Sequence, residues 1–140
     1  MIVLDTSGLL AALDASDRHH ERSAAALRRS GAPRLLSPFV LAELDYLLTT
    51  RVSRAAARAL LDEVARGAYR LEPFANEDVE AALAVMDRHR GLDIGLADAS
   101  LVVLAERHGT TNVLTLDERH VRALTTSRGR PFRLLPLDAD

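Results

Sequence analysis

The apolar residues of this chain alternate between short runs, which read as buried strands, and stretches with helical spacing. Each run is separated from the next by a segment with helical punctuation. Ile2-Val3-Leu4, Leu35-Leu36, Tyr69-Arg70-Leu71, Val113-Leu114-Thr115 and residues 132–135 read as five strands. Between them a short helix capped by Thr6 or Ser7 runs to Leu13, and an Arg-rich helix covers 17–29 before Gly31 and Pro33. A helix opens on Ser37-Pro38 and runs to about Thr50, and another covers 53–66 up to Gly67. Asn76 caps a helix over 77–90, Gly109 closes one over 96–108, and a short helix covers 117–124. Strands alternating with helices predict an α/β fold with a mostly parallel sheet. Parallel strands need crossover connections, and right-handed crossovers put helices on both faces. With 140 residues, no internal repeat and no linker-like stretch, the chain reads as a single domain over 1–140. Function in such sheets gathers outside the carboxyl ends of the strands.

Composition removes several chemistries. There is no cysteine, which excludes a disulfide scaffold, a thiolate metal site and a cysteine nucleophile. All 18 basic residues are arginine; without lysine there is no Schiff base and no phosphate-loop lysine. No stretch free of charged residues exceeds nine residues, against about 20 for a membrane span. The opening residues lack the basic segment of a signal peptide. A cytoplasmic protein with no membrane association is expected. His19-His20-Glu21 lacks the spacing that puts two imidazoles on one helix face, and the histidines read as solvated or capping.

The carboxylates are more informative. Asp5 directly follows the first strand, and Asp117 stands just past the fourth. If those strands are neighbours, both side chains overhang one edge of the sheet. Glu43 has Phe39, Val40, Tyr46 and Leu47 at helical spacing, and so is expected to point inward, where a carboxylate must be paired or bound to a cation. Asp98 lies in the first turn of its helix among Ile94, Gly95, Leu101 and Val102. Two like charges about 4 Å apart repel by about 4 kcal/mol at an effective dielectric near 20. Converging acids therefore protonate or bind a cation, and an all-oxygen donor set selects Mg²⁺ or Mn²⁺. Such a site commonly meets a phosphate oxygen.

Asp5-Thr6-Ser7, Glu43, Asp98 and Asp117, in this order, resemble the PIN-domain family, and within it the VapC-type toxins of bacterial toxin–antitoxin pairs. The resemblance extends over Val3-Leu4-Asp5-Thr6-Ser7-Gly8-Leu9-Leu10-Ala11, Pro38-Phe39-Val40-Leu41-Ala42-Glu43 and Leu96-Ala97-Asp98-Ala99-Ser100. It continues through Leu104-Ala105-Glu106-Arg107-His108-Gly109 and Leu114-Thr115-Leu116-Asp117-Glu118-Arg119-His120. It implies a PIN-like α/β/α sandwich on a five-stranded parallel sheet. It also implies a metal-dependent endoribonuclease and a cognate antitoxin that inserts a basic side chain into the acidic pocket. Residues matching Asp5, Glu43 and Asp98 form the metal site, joined by Asp117, with Thr6, Ser7 and Thr115 in support.

One or two Mg²⁺ ions are expected to hold the scissile phosphate of RNA and lower the pKa of an attacking water. The rival reading is a catalytically silent binding module whose acidic pocket accepts a partner's arginine. A haloacid-type phosphatase is disfavoured, because Ser7 stands where that chemistry needs a second aspartate. From Arg119 to Arg133 there are five arginines and no acid. Arg119, Arg122, Arg128 and Arg130 are expected near the acidic edge, on the RNA backbone. The helix over 39–48 is apolar nearly all round, which predicts a second covering surface and a homodimer.

Overall fold

The computed structural model describes residues 1–139. Five strands, β1 (Ile2–Leu4), β2 (Arg34–Leu36), β3 (Arg70–Leu71), β4 (Asn112–Thr115) and β5 (Arg133–Pro136), form one sheet in the order β3-β2-β1-β4-β5. Every pairing is parallel, and Val3 at the centre is in register with Leu35 on one side and Val113 on the other. Seven helices connect them: α1 (Thr6–Leu13), α2 (His20–Ser30), α3 (Pro38–Arg51), α4 (Arg54–Ala65), α5 (Asn76–Arg88), α6 (Leu96–His108) and α7 (Glu118–Val121). The chain first steps outward from β1 through β2 to β3, then returns to β4 and steps the other way to β5. That reversal puts the switch point of the topology between β1 and β4, where a crevice opens at the carboxyl ends of the strands. The central strands are fully buried, with Ile2, Leu4, Leu35, Leu36 and Leu114 at 0% exposure, as two helical layers require.

The sequence places every element, and the differences lie at their ends. The second helix starts at His20, three residues later than its polar pattern suggests, because the Asp17 side chain accepts from the His19 N–H at 2.7 Å in a preceding turn. The fifth helix begins at Asn76 itself; Ala75 is the cap, and its N–H donates to the Asp78 carboxylate at 2.8 Å. The seventh helix stops at Val121, beyond which Thr125 pairs with Pro131 in an isolated antiparallel bridge. Ser37 and Pro38 do open α3, with the Ser37 hydroxyl accepting from the Phe39 N–H at 3.2 Å. That helix is not apolar all round in effect: Val40, Leu44 and Leu48 are buried, while Ala42, Glu43 and Tyr46 are exposed.

Two close contacts set the geometry of the crevice. A Cβ added at Gly8 would lie 2.4 Å from the Leu114 carbonyl oxygen and 2.7 Å from the Thr115 nitrogen. Only glycine lets α1 lie this tightly on β4. Across the sheet, the fully buried hydroxyls of Ser37 and Ser100 are hydrogen-bonded at 2.8 Å, tying the start of α3 to α6. The Gly8→Ala variant must push helix from strand. It is expected to lose about 1–3 kcal/mol of stability, read as a lower midpoint in urea unfolding.

Candidate active site

Asp5 is the fixed point of the crevice. Its N–H still donates to the Leu114 carbonyl at 3.0 Å, which extends the β1–β4 ladder by one residue. Its Oδ1 then caps α1 by accepting from the Thr6 N–H at 2.8 Å. Its Oδ2 accepts from the Thr115 hydroxyl at 2.7 Å and the Ser7 hydroxyl at 3.3 Å. Those hydroxyls are themselves aligned from behind. The Leu116 N–H donates to Ser7 Oγ and the Asp117 N–H to Thr115 Oγ1, both at 2.9 Å. A hydroxyl that accepts from the backbone has its single proton left for Asp5. Burial pushes the Asp5 carboxyl up from 3.8 to about 6, against the hydrogen bonds from Thr115 and Thr6; the charges of Asp98 and Asp117 push the same way as burial.

The other acids face Asp5 from three further elements. Asp117 precedes α7 and accepts from the His120 N–H at 3.2 Å, and the His120 ring lies 3.1 Å from its Oδ2. Asp98, at the start of α6, accepts from the Gly95 N–H at 3.4 Å. Burial raises its carboxyl above the usual range, the Gly95 bond opposes this, and the charges of Asp117 and Glu43 add to the rise. Glu43 on α3 accepts from the Thr6 hydroxyl at 2.6 Å. Asp5, Glu43, Asp98 and Asp117 line one cleft of about 500 Å³ together with Thr6 and Ser7; Thr115 lies buried beneath Asp5.

Two expectations are corrected. Glu43 does not point into the core: it is exposed to the cleft, and its apolar neighbours Tyr46 and Leu47 line the wall beside it. The arginine-rich stretch does not gather at the acidic edge. Arg119 follows Asp117 on α7, but Arg122 is held by Asp138 at 2.9 Å and Glu118 at 3.2 Å. Arg128 and Arg130 lie beside Gly109, Thr110 and Thr111, at the amino end of β4 and so at the opposite end of the sheet.

The cleft has the chemistry of a cation site. Among the described residues, Asp5, Glu43 and Asp98 have no arginine within ion-pair distance. Their charges act on one another, and the donors are all oxygen. No three of these side chains close into a ready-made cage among the described residues. Carboxylate oxygens are the donors a hard divalent ion takes, one or two of them together with several waters. Sequence reasoning passed over Asp17, Tyr46 and Arg51, which also line the cleft. For the last two the signal was present, since they follow Glu43 by three and eight residues on one helix.

Comparison with known proteins identifies the family and the fold. The PIN-domain family model matches residues 2–124. Ribonuclease VapC26 of Mycobacterium tuberculosis is 40% identical over 135 residues, which cover 96% of this chain and the whole of that protein. The crystal structure of M. tuberculosis VapC20, a toxin that cleaves the sarcin–ricin loop, superposes with a TM-score of 0.77 at 24% identity. That match covers 89% of this chain and 97% of VapC20. The crystal structure of FitAcB from Neisseria gonorrhoeae gives 0.57 at 21% identity, over 78% of this chain and 83% of that one. The last two share the fold. The extent of the family match and the full-length similarity to VapC26 place the chain in the PIN-domain family, among the VapC ribonucleases.

Proposed function

We propose that this protein is a Mg²⁺-dependent endoribonuclease, the toxin of a toxin–antitoxin pair, acting in the cytoplasm as a single PIN domain. The observation that carries the reading is five carboxylates lining one cleft, Asp5, Asp17, Glu43, Asp98 and Asp117, of which only Asp117 has a basic side chain, His120, within ion-pair distance among the described residues. Asp5, Glu43, Asp98 and Asp117 are the proposed metal ligands and catalytic residues. Thr6, Ser7 and Thr115 are the residues that hold them. A bound Mg²⁺ or Mn²⁺ ion supplies Lewis acidity toward the scissile phosphate and lowers the pKa of an attacking water.

The protein's own part is orientation. The hydroxyls of Thr115 and Ser7 fix the Asp5 carboxylate from below, and the Thr6 hydroxyl fixes the direction of Glu43. No histidine or lysine is needed as a base. A cognate antitoxin is proposed to place a basic side chain in the same cleft, neutralising the acids and blocking the substrate together. The full-length similarity to a VapC ribonuclease supports catalysis over a silent binding module, and the Asp5→Asn variant separates the two. A homodimer is also proposed. Among the described residues, Val79 and Leu83 stand four apart on α5 and are 42% and 56% exposed.

Three outcomes are expected. Asp5→Asn, Glu43→Gln and Asp98→Asn should each lose at least about 100-fold in Mg²⁺-dependent RNA cleavage, since a misplaced reacting group costs about that much. Full activity in Asp98→Asn would overturn the site.

The second outcome concerns stability with metal chelated. The folded Asp5 carboxyl binds its proton more tightly than the unfolded one, so stability falls as pH rises from about 4. The loss is complete above about 6 and amounts to about 3 kcal/mol for a shift of this size. Asp98→Asn removes a like charge and keeps a side-chain oxygen for Gly95. It should therefore melt a few degrees above wild type at neutral pH, with the gain vanishing near pH 4 and shrinking in millimolar Mg²⁺. A mutant that melts lower at neutral pH would show that Asp98 serves chiefly to cap its helix.

Third, light scattering at micromolar concentration should give twice the chain mass, and Leu83→Glu should reduce it toward the monomer.

A further inference from the structure

We infer that the wall of the cleft formed by Tyr46 and Arg51 on α3 is a nucleotide subsite. Tyr46 stacks on a base of single-stranded RNA, and Arg51 takes a phosphate of the same strand. The inference rests on the ribonuclease reading above and adds the side chains that hold the strand beside the acids.

The chain has five aromatic residues. Four are packed: Phe39 meets Phe74 edge to face with ring centroids 4.9 Å apart, and Tyr69 and Phe132 are buried. Tyr46 is 67% exposed. A ring left in water contributes little to the fold, and this one lines the cleft one helical turn beyond Glu43. The exposed residues around it on α3 are Ala42, Glu43, Asp45 and Thr50, of which only the small Ala42 is apolar. Tyr46 is the one large apolar side chain that α3 exposes, a single platform rather than a broad apolar patch of the kind that seats another protein.

Arg51 follows Glu43 by eight residues, about 12 Å along the helix axis. It is the one cation among the described residues lining the cleft, and no carboxylate among them lies within ion-pair distance of it. A guanidinium that stays unpaired in a cleft of carboxylates keeps its two-pronged fork for an anion. The acids repel the flanking phosphates of an RNA strand, and a cation on the wall offsets that repulsion where the strand leaves the reaction centre. Stacking on one side chain and phosphate capture on the other is how single strands are gripped without a duplex groove.

The test uses a short fluorescein-labelled single-stranded RNA of mixed sequence, in Mg²⁺ buffer. It is bound to the full chain carrying Asp98→Asn, so that binding is read without cleavage. Added to that background, Tyr46→Ala is expected to weaken binding by about 5- to 100-fold, while Tyr46→Phe stays within about twofold. Arg51→Ala should flatten the log–log salt slope by about 0.7, and Arg51→Lys should restore it. With Asp98 intact, both alanine variants should raise KM more than they lower kcat, at an unchanged melting temperature. If the background protein does not bind the RNA and the wild-type chain does not cleave it, the ribonuclease reading fails and the subsite with it. If RNA is bound and cleaved, but both alanine variants match their parent in affinity and salt slope, the subsite alone is overturned. A drop in mass by light scattering under those conditions assigns the wall to a second copy of the chain.

Discussion

The carbonyl of Leu114 occupies the place where a side chain on residue 8 would have to be. The arrangement around Asp5 follows from that contact. Because α1 can rest on the backbone of β4, Ser7 reaches Thr115 at 3.2 Å, and both hydroxyls converge on Asp5. The two strands flanking the switch point are thus joined by side chains as well as by their ladder. The backbone N–H groups of Leu116 and Asp117 set the direction of the hydroxyl protons. A carboxylate held by a cap on one oxygen and two hydroxyls on the other has little rotational freedom. That is what a group expected to position an ion needs, since its geometry must be present before the ion arrives.

The same arrangement costs stability. Asp5 is 6% exposed and carries no cationic partner among the described residues, so its ionised form is disfavoured even with its hydrogen bonds made. Three of the four acids stand where helices begin, and the positive ends of those helices offset part of the repulsion. The chain uses its acids differently elsewhere. Glu72, equally buried, is bonded to both Arg107 and His108, and Arg107 reaches Asp78 as well. Glu72 is supplied with an arginine, whereas Asp5 has none within ion-pair distance among the described residues, although Arg51 lines the same cleft. In the proposed function the acids are neutralised by a metal ion during catalysis and by an antitoxin's basic side chain during inhibition. Stability and silencing would then come from the same neutralisation.

Much of this is legible in the sequence. Strand ends marked by Asp5 and Asp117 gave the edge, and the parallel order that makes them neighbours follows from strands alternating with helices. Ser37-Pro38 announced α3 because a cap and a proline at the first helical position are local signals. The arginines of residues 119–133 were misplaced for a reason that is also physical. Nearness along the chain carries a residue to the neighbouring end of an element, and β5 starts at the opposite end of the sheet from where β4 stops. The turn that holds Arg128 and Arg130 must therefore travel back before β5 begins. Arg122 was lost to Asp138, a partner sixteen residues away that no helical spacing discloses.

Glu43 shows where a pattern argument needs a second condition. Apolar residues at helical spacing around an acid imply burial only if all of them are covered, and in α3 they are not. Val40 and Leu44 enter the core, whereas Tyr46 stands in solvent and Leu47 is half-covered along the cleft. The row that looked like core is the rim of a crevice, in which an acid needs no buried partner to be tolerated. The Thr6 hydroxyl gives Glu43 a fixed direction instead. An acid flanked by apolar residues on a helix that leaves the carboxyl end of a central strand thus has two placements, inside the core or on the wall of the switch-point cleft. The exposure of the aromatic one turn on decides between them.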